Sequence, residues 1–175
     1  MEKSYKQYLS QINTLIFDVD GVLTNGIVTV LSNGELIRQM NIKDGYALRA
    51  AVNAGLRICI ITGGKHEGVK IRLENLGIKD VYMGAHNKIE QYNEFIDMYN
   101  LQPNNILYMG DDLPDYPIMK LVGLACCPND AAIEIQQISK YISDKKGGEG
   151  CVRDIIEQVL RVQGKWDSNF DATYD

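Results

Sequence analysis

Short apolar runs recur along the chain, at residues 15–17, 57–61, 81–83, 104–109 and 121–127, and each reads as a buried strand. Between them, apolar residues return at helical spacing. Residues 46–54 carry Leu48, Ala51 and Val52 and close on Gly55, a natural helix stop. Helices are likewise expected over 66–76 (ended by Gly77), 88–99, 130–137 and 151–162, the last on Val152, Ile155, Ile156 and Val159. One segment breaks the alternation. Residues 27–31 and 35–40 are β-prone and flank Ser32-Asn33-Gly34, which predicts a β-hairpin directly after the first strand. Its role is a flap, an oligomer contact or a plain edge. Strands alternating with helices predict an α/β sandwich around a parallel sheet.

Composition narrows this picture. At 175 residues, 45% hydrophobic and 23% charged, the chain fits one domain over 14–164, with a lead-in at 1–13 and a flexible acidic tail at 165–175. A net charge of −5 gives no support for a nucleic-acid-binding surface. Cys59, Cys126, Cys127 and Cys151 lack metal-ligand spacing and read as reduced thiols of a cytoplasmic protein. No apolar stretch is long enough to span a bilayer, and the first eleven residues are too polar for a signal peptide. Lys145 to Gly150, rich in glycine, is expected to be flexible.

Candidate chemistry sits where strands stop. The first run ends in Asp18-Val19-Asp20-Gly21, and in open α/β sheets ligands bind beyond the carboxyl ends of strands. Two acids so close repel unless a cation lies between them. The pair is therefore either a magnesium-assisted phosphoryl site, with Asp18 attacking phosphorus, or a capping pair. Thr62-Gly63-Gly64 after the second buried run offers a hydroxyl and amide groups suited to phosphate, or is a plain turn. Lys88 opens a helix, where the macrodipole prefers anions, which hints at a task. Gly110-Asp111-Asp112, with Pro114 and Asp115, ends another strand in acids. Right-handed crossovers place these strand ends on one rim.

Acid pair, hydroxyl, lysine and acid cluster, in that order, resemble the four signatures of the haloacid dehalogenase superfamily: Asp18-Val19-Asp20-Gly21-Val22, Ile61-Thr62-Gly63, Lys88, and Gly110-Asp111-Asp112 with Asp115. Within it the chain is most similar to the family of 3-deoxy-D-manno-octulosonate 8-phosphate phosphatases. The shared features are the hairpin, Asn41-x-x-Asp44-Gly45-x-x-x-Arg49, Arg72 ahead of Leu76-Gly77-Ile78, and Gly147-Gly148-Glu149-Gly150-x-x-Arg153. The resemblance implies a Rossmann-like sheet without a cap domain. It implies Asp18 as nucleophile, Asp20 as general acid and base, and phosphate held by Thr62, the Gly63 amide and Lys88. It also implies magnesium held by Asp18, the Asp20 carbonyl and Asp111, with Asp112 and Asp115 in support. The sugar acid would meet Asp20, Asn41, Ile42, Lys43, Asp44, Gly45, Arg49, Gly63, Gly64, Arg72 and Lys88, with Arg72 on its carboxylate. The family's hairpins build a homotetramer, and a neighbour's glycine-rich tail can close the site.

One position departs from the pattern. Gly64 and Lys65 stand where many relatives carry arginine after Thr-Gly, so that contact is missing or passes to Lys65. Phosphatases of nine-carbon sugar-acid 9-phosphates, the nearest alternative, tend to carry glutamate there, which Gly64 also lacks. A phospho-accepting receiver domain uses similar groups in a different order, and a non-catalytic binding module would have no need to keep them all.

Overall fold

The computed structural model describes residues 4–166. The acidic tail expected at 165–175 therefore lies outside the described residues from 167 onward. After a single turn of helix, α1 (Lys6–Leu9), the chain enters β1 (Thr14–Phe17), whose residues are all buried. The hairpin follows as β2 (Thr29–Val30) and β3 (Leu36–Ile37), then α2 (Ile42–Asn53), β4 (Arg57–Thr62), α3 (Glu67–Asn75), β5 (Asp80–Met83) and α4 (Lys88–Tyr99). The rest is β6 (Ile106–Met109), α5 (Tyr116–Met119), β7 (Leu124–Cys127), α6 (Ile133–Ile138), β8 (Tyr141–Ile142) and α7 (Cys151–Val162), with 3-10 turns at Pro103–Asn105 and Leu113–Asp115.

Six strands form one parallel sheet in the order β5-β4-β1-β6-β7-β8. The period of two along each strand sends alternate residues to opposite faces. Leu15, Phe17, Ile58, Ile60, Leu107, Met109 and Cys126 join a core with residues of α2, α3 and α7. Ile16, Cys59, Ile61, Tyr108, Ala125 and Cys127 join another with residues of α4, α5 and α6. Helices on both faces leave no bare side, the condition under which parallel sheets persist. The α7 residues Cys151, Val152, Ile155, Ile156, Val159 and Leu160 are all buried, as a helical stripe predicts. All four cysteines are buried free thiols.

Several boundaries differ from expectation. The α2 helix begins at Ile42 rather than at residue 46, because the Asn41 side chain accepts the Lys43 N–H at 2.8 Å and caps it. The final long strand shortens to Leu124–Cys127 since Gly123 turns against the backbone of Asn104. The helix expected over 130–137 is Ile133–Ile138, and Asp130 instead accepts the Gly147 N–H at 3.0 Å. The short edge strand β8 carried no sequence signal. The hairpin is real but brief, pairing Thr29 with Ile37 and Val30 with Leu36.

The segment 145–150, expected to be flexible, is instead bound down. Gly148 donates its N–H to the Val22 carbonyl at 2.9 Å, and Asn41 Nδ2 donates to the Gly148 carbonyl at 3.2 Å. Its glycines serve close approach: a Cβ on Gly147 would run into the Gly21 carbonyl. This loop braces the acid turn of its own chain.

Candidate active site

Parallel pairing sets Phe17, the last residue of β1, opposite Met109, the last of β6, on one side and opposite Ile60, two residues before the end of β4, on the other. The residues that follow, Asp18, Thr62 and Asp111, therefore emerge on one rim. With Asp20, Gly21, Gly63, Gly64, Lys88 and Asp112 they line a single cavity of about 490 Å³. Gly21, at φ +84°, turns the chain where a Cβ would run into the Asp111 carboxylate.

Lys88, from the first turn of α4, reaches across the rim. Its Nζ lies 2.7 Å from Asp18 Oδ2 and 2.7 Å from Asp115 Oδ1. A buried ammonium at a helix start opposes the dipole, and the two carboxylates supply the compensation. Burial alone would lower the Lys88 pKa, but Asp18 and Asp115 outweigh it and raise it. Asp115 is saturated by donors. Besides Lys88 it accepts the Tyr108 hydroxyl at 2.6 Å and the Asp111 N–H at 3.0 Å. Asp112 accepts the Leu113 N–H at 2.8 Å as the cap of the short 3-10 turn.

Asp18 accepts the Val19 N–H at 2.7 Å, which fixes the carboxylate from its own backbone. Burial, with Asp115 nearby and despite Lys88, pushes its pKa up to about 7. Burial and the negative charge of Asp18 push Asp111 up to about 8. Carboxylate oxygens of Asp18, Asp111 and Asp115 all lie within 4.8 Å of one another. Since Asp115 is already engaged, Asp18 and Asp111 are the acids left to share a cation. Two oxygen donors raised by burial and by neighbouring acids fit a hard divalent ion such as magnesium. The Asp20 carboxylate takes no part in this cluster.

Thr62 is buried, and its Oγ1 accepts the Gly64 N–H at 3.2 Å, leaving its hydroxyl proton directed elsewhere. Asp20 turns to the hairpin, where Arg38 Nε and Nη2 meet its two oxygens at 2.6 and 2.9 Å. Sequence reasoning missed Arg38, because nothing in its local pattern marks it. Tyr108 was missed too: a tyrosine inside an apolar strand gives no sign that its hydroxyl finds a buried acid.

The sugar-acid residues are more scattered than expected. Arg72 lines a second cavity of about 500 Å³ between the hairpin and α3, with Arg38, Lys65 and His66. Asn41 caps α2, Ile42 and Lys43 are exposed, and Gly45 packs beneath Arg72. Asp44 is buried and accepts the Arg153 N–H at 2.7 Å, tying α2 to α7. Arg49 Nη1 approaches the Asn75 carbonyl at the end of α3, and neither it nor residues 41–45 line the cavity with Asp18.

The chain is similar to known proteins along most of its length. Residues 78–155 match the haloacid dehalogenase-like hydrolases. The 3-deoxy-D-manno-octulosonate 8-phosphate phosphatase of Salmonella typhi is 38% identical over 156 residues, covering 89% of this chain and 83% of that protein. The crystal structure of the phosphatase of that name from Yersinia pestis superposes with a TM-score of 0.91 at 33% identity, over 96% of this chain and 91% of that one. That from Moraxella catarrhalis, in complex with a magnesium ion, a phosphate ion and the sugar acid KDO, gives 0.90 at 29% identity, over 94% of each chain. The acids gathered around Lys88 thus sit on a scaffold shared along nearly its whole length, and the chain belongs to the haloacid dehalogenase-like hydrolases, in the family of the 3-deoxy-D-manno-octulosonate 8-phosphate phosphatases.

Proposed function

We infer that the chain is a magnesium-dependent phosphatase that hydrolyses 3-deoxy-D-manno-octulosonate 8-phosphate to the free sugar acid and phosphate, a step in lipopolysaccharide precursor synthesis. The observation that carries this reading is the convergence of Asp18, Thr62, Lys88 and Asp111 on one rim, in a chain so similar to phosphatases of that name.

Phosphoryl transfer is mainly positioning and charge stabilisation. Asp18 attacks phosphorus and forms an aspartyl-phosphate, dividing one hard displacement into two easier ones. Asp20 gives a proton to the departing sugar oxygen, then takes one from the water that cleaves the acyl phosphate. Thr62, the Gly63 amide and Lys88 hold the phosphoryl oxygens, and Lys88 offsets the field of the acids. Asp18, Asp111 and the Asp20 carbonyl would hold magnesium, which would supply neutralisation of the phosphoryl charge when bound.

Arg72, in the basic groove beside the hairpin, is the partner suited to the substrate carboxylate. Asn41, Ile42, Lys43, Asp44, Gly45, Gly64 and Arg49 complete the sugar-acid set on the strength of the resemblance. The exposed apolar hairpin supports a homotetramer, and the buried free thiols support a cytoplasmic setting. No helix of the described residues is long and apolar enough to cross a membrane.

Phosphate release from a panel of purified sugar phosphates, with and without magnesium, tests the reading. The eight-carbon substrate should give the highest kcat/KM, require the metal, and lose roughly 10³-fold or more in kcat with Asp18→Asn at unchanged circular dichroism. A preference for the nine-carbon 9-phosphate would reassign the substrate, and full activity of Asp18→Asn would remove the nucleophile.

A further inference from the structure

The two acids of the turn are held by different means. Asp18 is fixed by its own backbone and by Lys88. Asp20 has one anchor among the described residues, the guanidinium of Arg38, which meets both of its oxygens. Arg38 follows β3 directly, on a hairpin that is otherwise largely exposed, yet its side chain is only 7% exposed against 36% for Asp20. An arginine is seldom so buried without a specific partner. The paired approach fixes the plane of the carboxylate as well as its distance, which a lysine ammonium would not do.

Gly64 borders this pair. A Cβ there would stand 3.4 Å from Asp20 Oδ2, an ordinary contact, with the His66 ring nearer at 3.0 Å. Oδ2, bound by the longer of the two bonds, is thus the oxygen beside the wall that Gly64 shares with the Asp18 cavity.

We propose that Arg38 is the positioning residue for Asp20, so that the hairpin rather than the sheet aims the acid–base carboxylate. This rests on the assignment of Asp20 as acid and base. Arg38 Nε keeps Oδ1, and the Nη2 bond opens to free Oδ2. The proton on Oδ2 passes to the leaving oxygen as its bond to phosphorus breaks, and Oδ2 recovers a proton from the attacking water in the second half. Hairpin seating and acid–base competence become a single event.

The test compares kcat/KM for ethyl phosphate, whose alkoxide must be protonated to leave, and p-nitrophenyl phosphate, whose phenolate leaves unaided. Both lack the sugar acid, so anchoring of the carboxylate does not enter. Arg38→Ala should lose about 10- to 100-fold more on the alkyl than on the aryl substrate. Arg38→Lys should recover part of that difference. Asp20→Asn should show the same selectivity, and the double variant should fall no further than Asp20→Asn alone. Equal losses on both substrates, or losses that multiply in the double variant, would overturn the role of Arg38. Absence of selectivity in Asp20→Asn itself would instead remove the acid–base assignment of Asp20, and the proposal with it.

Discussion

Asp18, buried, and Asp111, half-buried, share one deficit of positive charge, which makes their protonation a direct reporter of cation binding. Both are raised well above the ordinary carboxylate range, to about 7 and about 8, first by burial and then by neighbouring acids. Without a divalent ion the folded protein therefore holds protons that the unfolded chain has released. Its stability should fall as pH rises from about 4 through about 8. A cation that binds the ionised pair reverses this. Magnesium should raise Tm more at about pH 8 than at about pH 5, as thermal unfolding at the two pH values with magnesium or a chelator would measure. An equal or larger shift at the lower pH would mean that these acids do not share the ion.

Among the elements, the loop at 145–150 matters as much as any strand, because it buttresses the acid turn from behind. Gly147→Ala would drive a methyl group into the Gly21 carbonyl, a backbone contact with no flexible side chain to yield. The cost is on the order of 1–3 kcal/mol, and kcat should fall with stability because the displaced turn carries Asp18 and Asp20. Gly68→Ala is the control. Gly68 lies in α3 with nothing within 4 Å of an added Cβ, so alanine there should be neutral or stabilise by up to about 1 kcal/mol. Chemical denaturation and phosphate-release kinetics on both variants check the contrast.

For the whole molecule, the hairpin carries an apolar surface the monomer does not cover: Ile27 is 69% exposed and Val30 67%. Such a patch beside a capless site suits contact between copies of the chain, which would also limit water entry. Ile27→Glu with Val30→Glu should lower the mass seen by analytical ultracentrifugation while leaving the circular dichroism of the sheet and helices in place. An unchanged mass would place the assembly surface elsewhere.

Alternation of apolar runs with helical stripes was enough to read the parallel sheet and both helix layers. Each strand's period of two assigns its residues to a face before any coordinates exist. The strand-end chemistry was legible for the same reason: a polar residue ending a buried strand must emerge at the rim, so Asp18, Thr62 and Asp111 could be gathered from sequence. Contacts between residues distant along the chain carry no local pattern. Arg38 on Asp20, Tyr108 and Lys88 on Asp115, and Gly147 against Gly21 depend on how crossovers and a hairpin fold back in three dimensions. So does the placement of Asn41, Asp44 and Arg49 outside the Asp18 cavity, with Asn41 capping α2, Asp44 tying it to α7 and Arg49 meeting the end of α3. Tertiary structure decided which polar groups are already satisfied, and hence which remain to act.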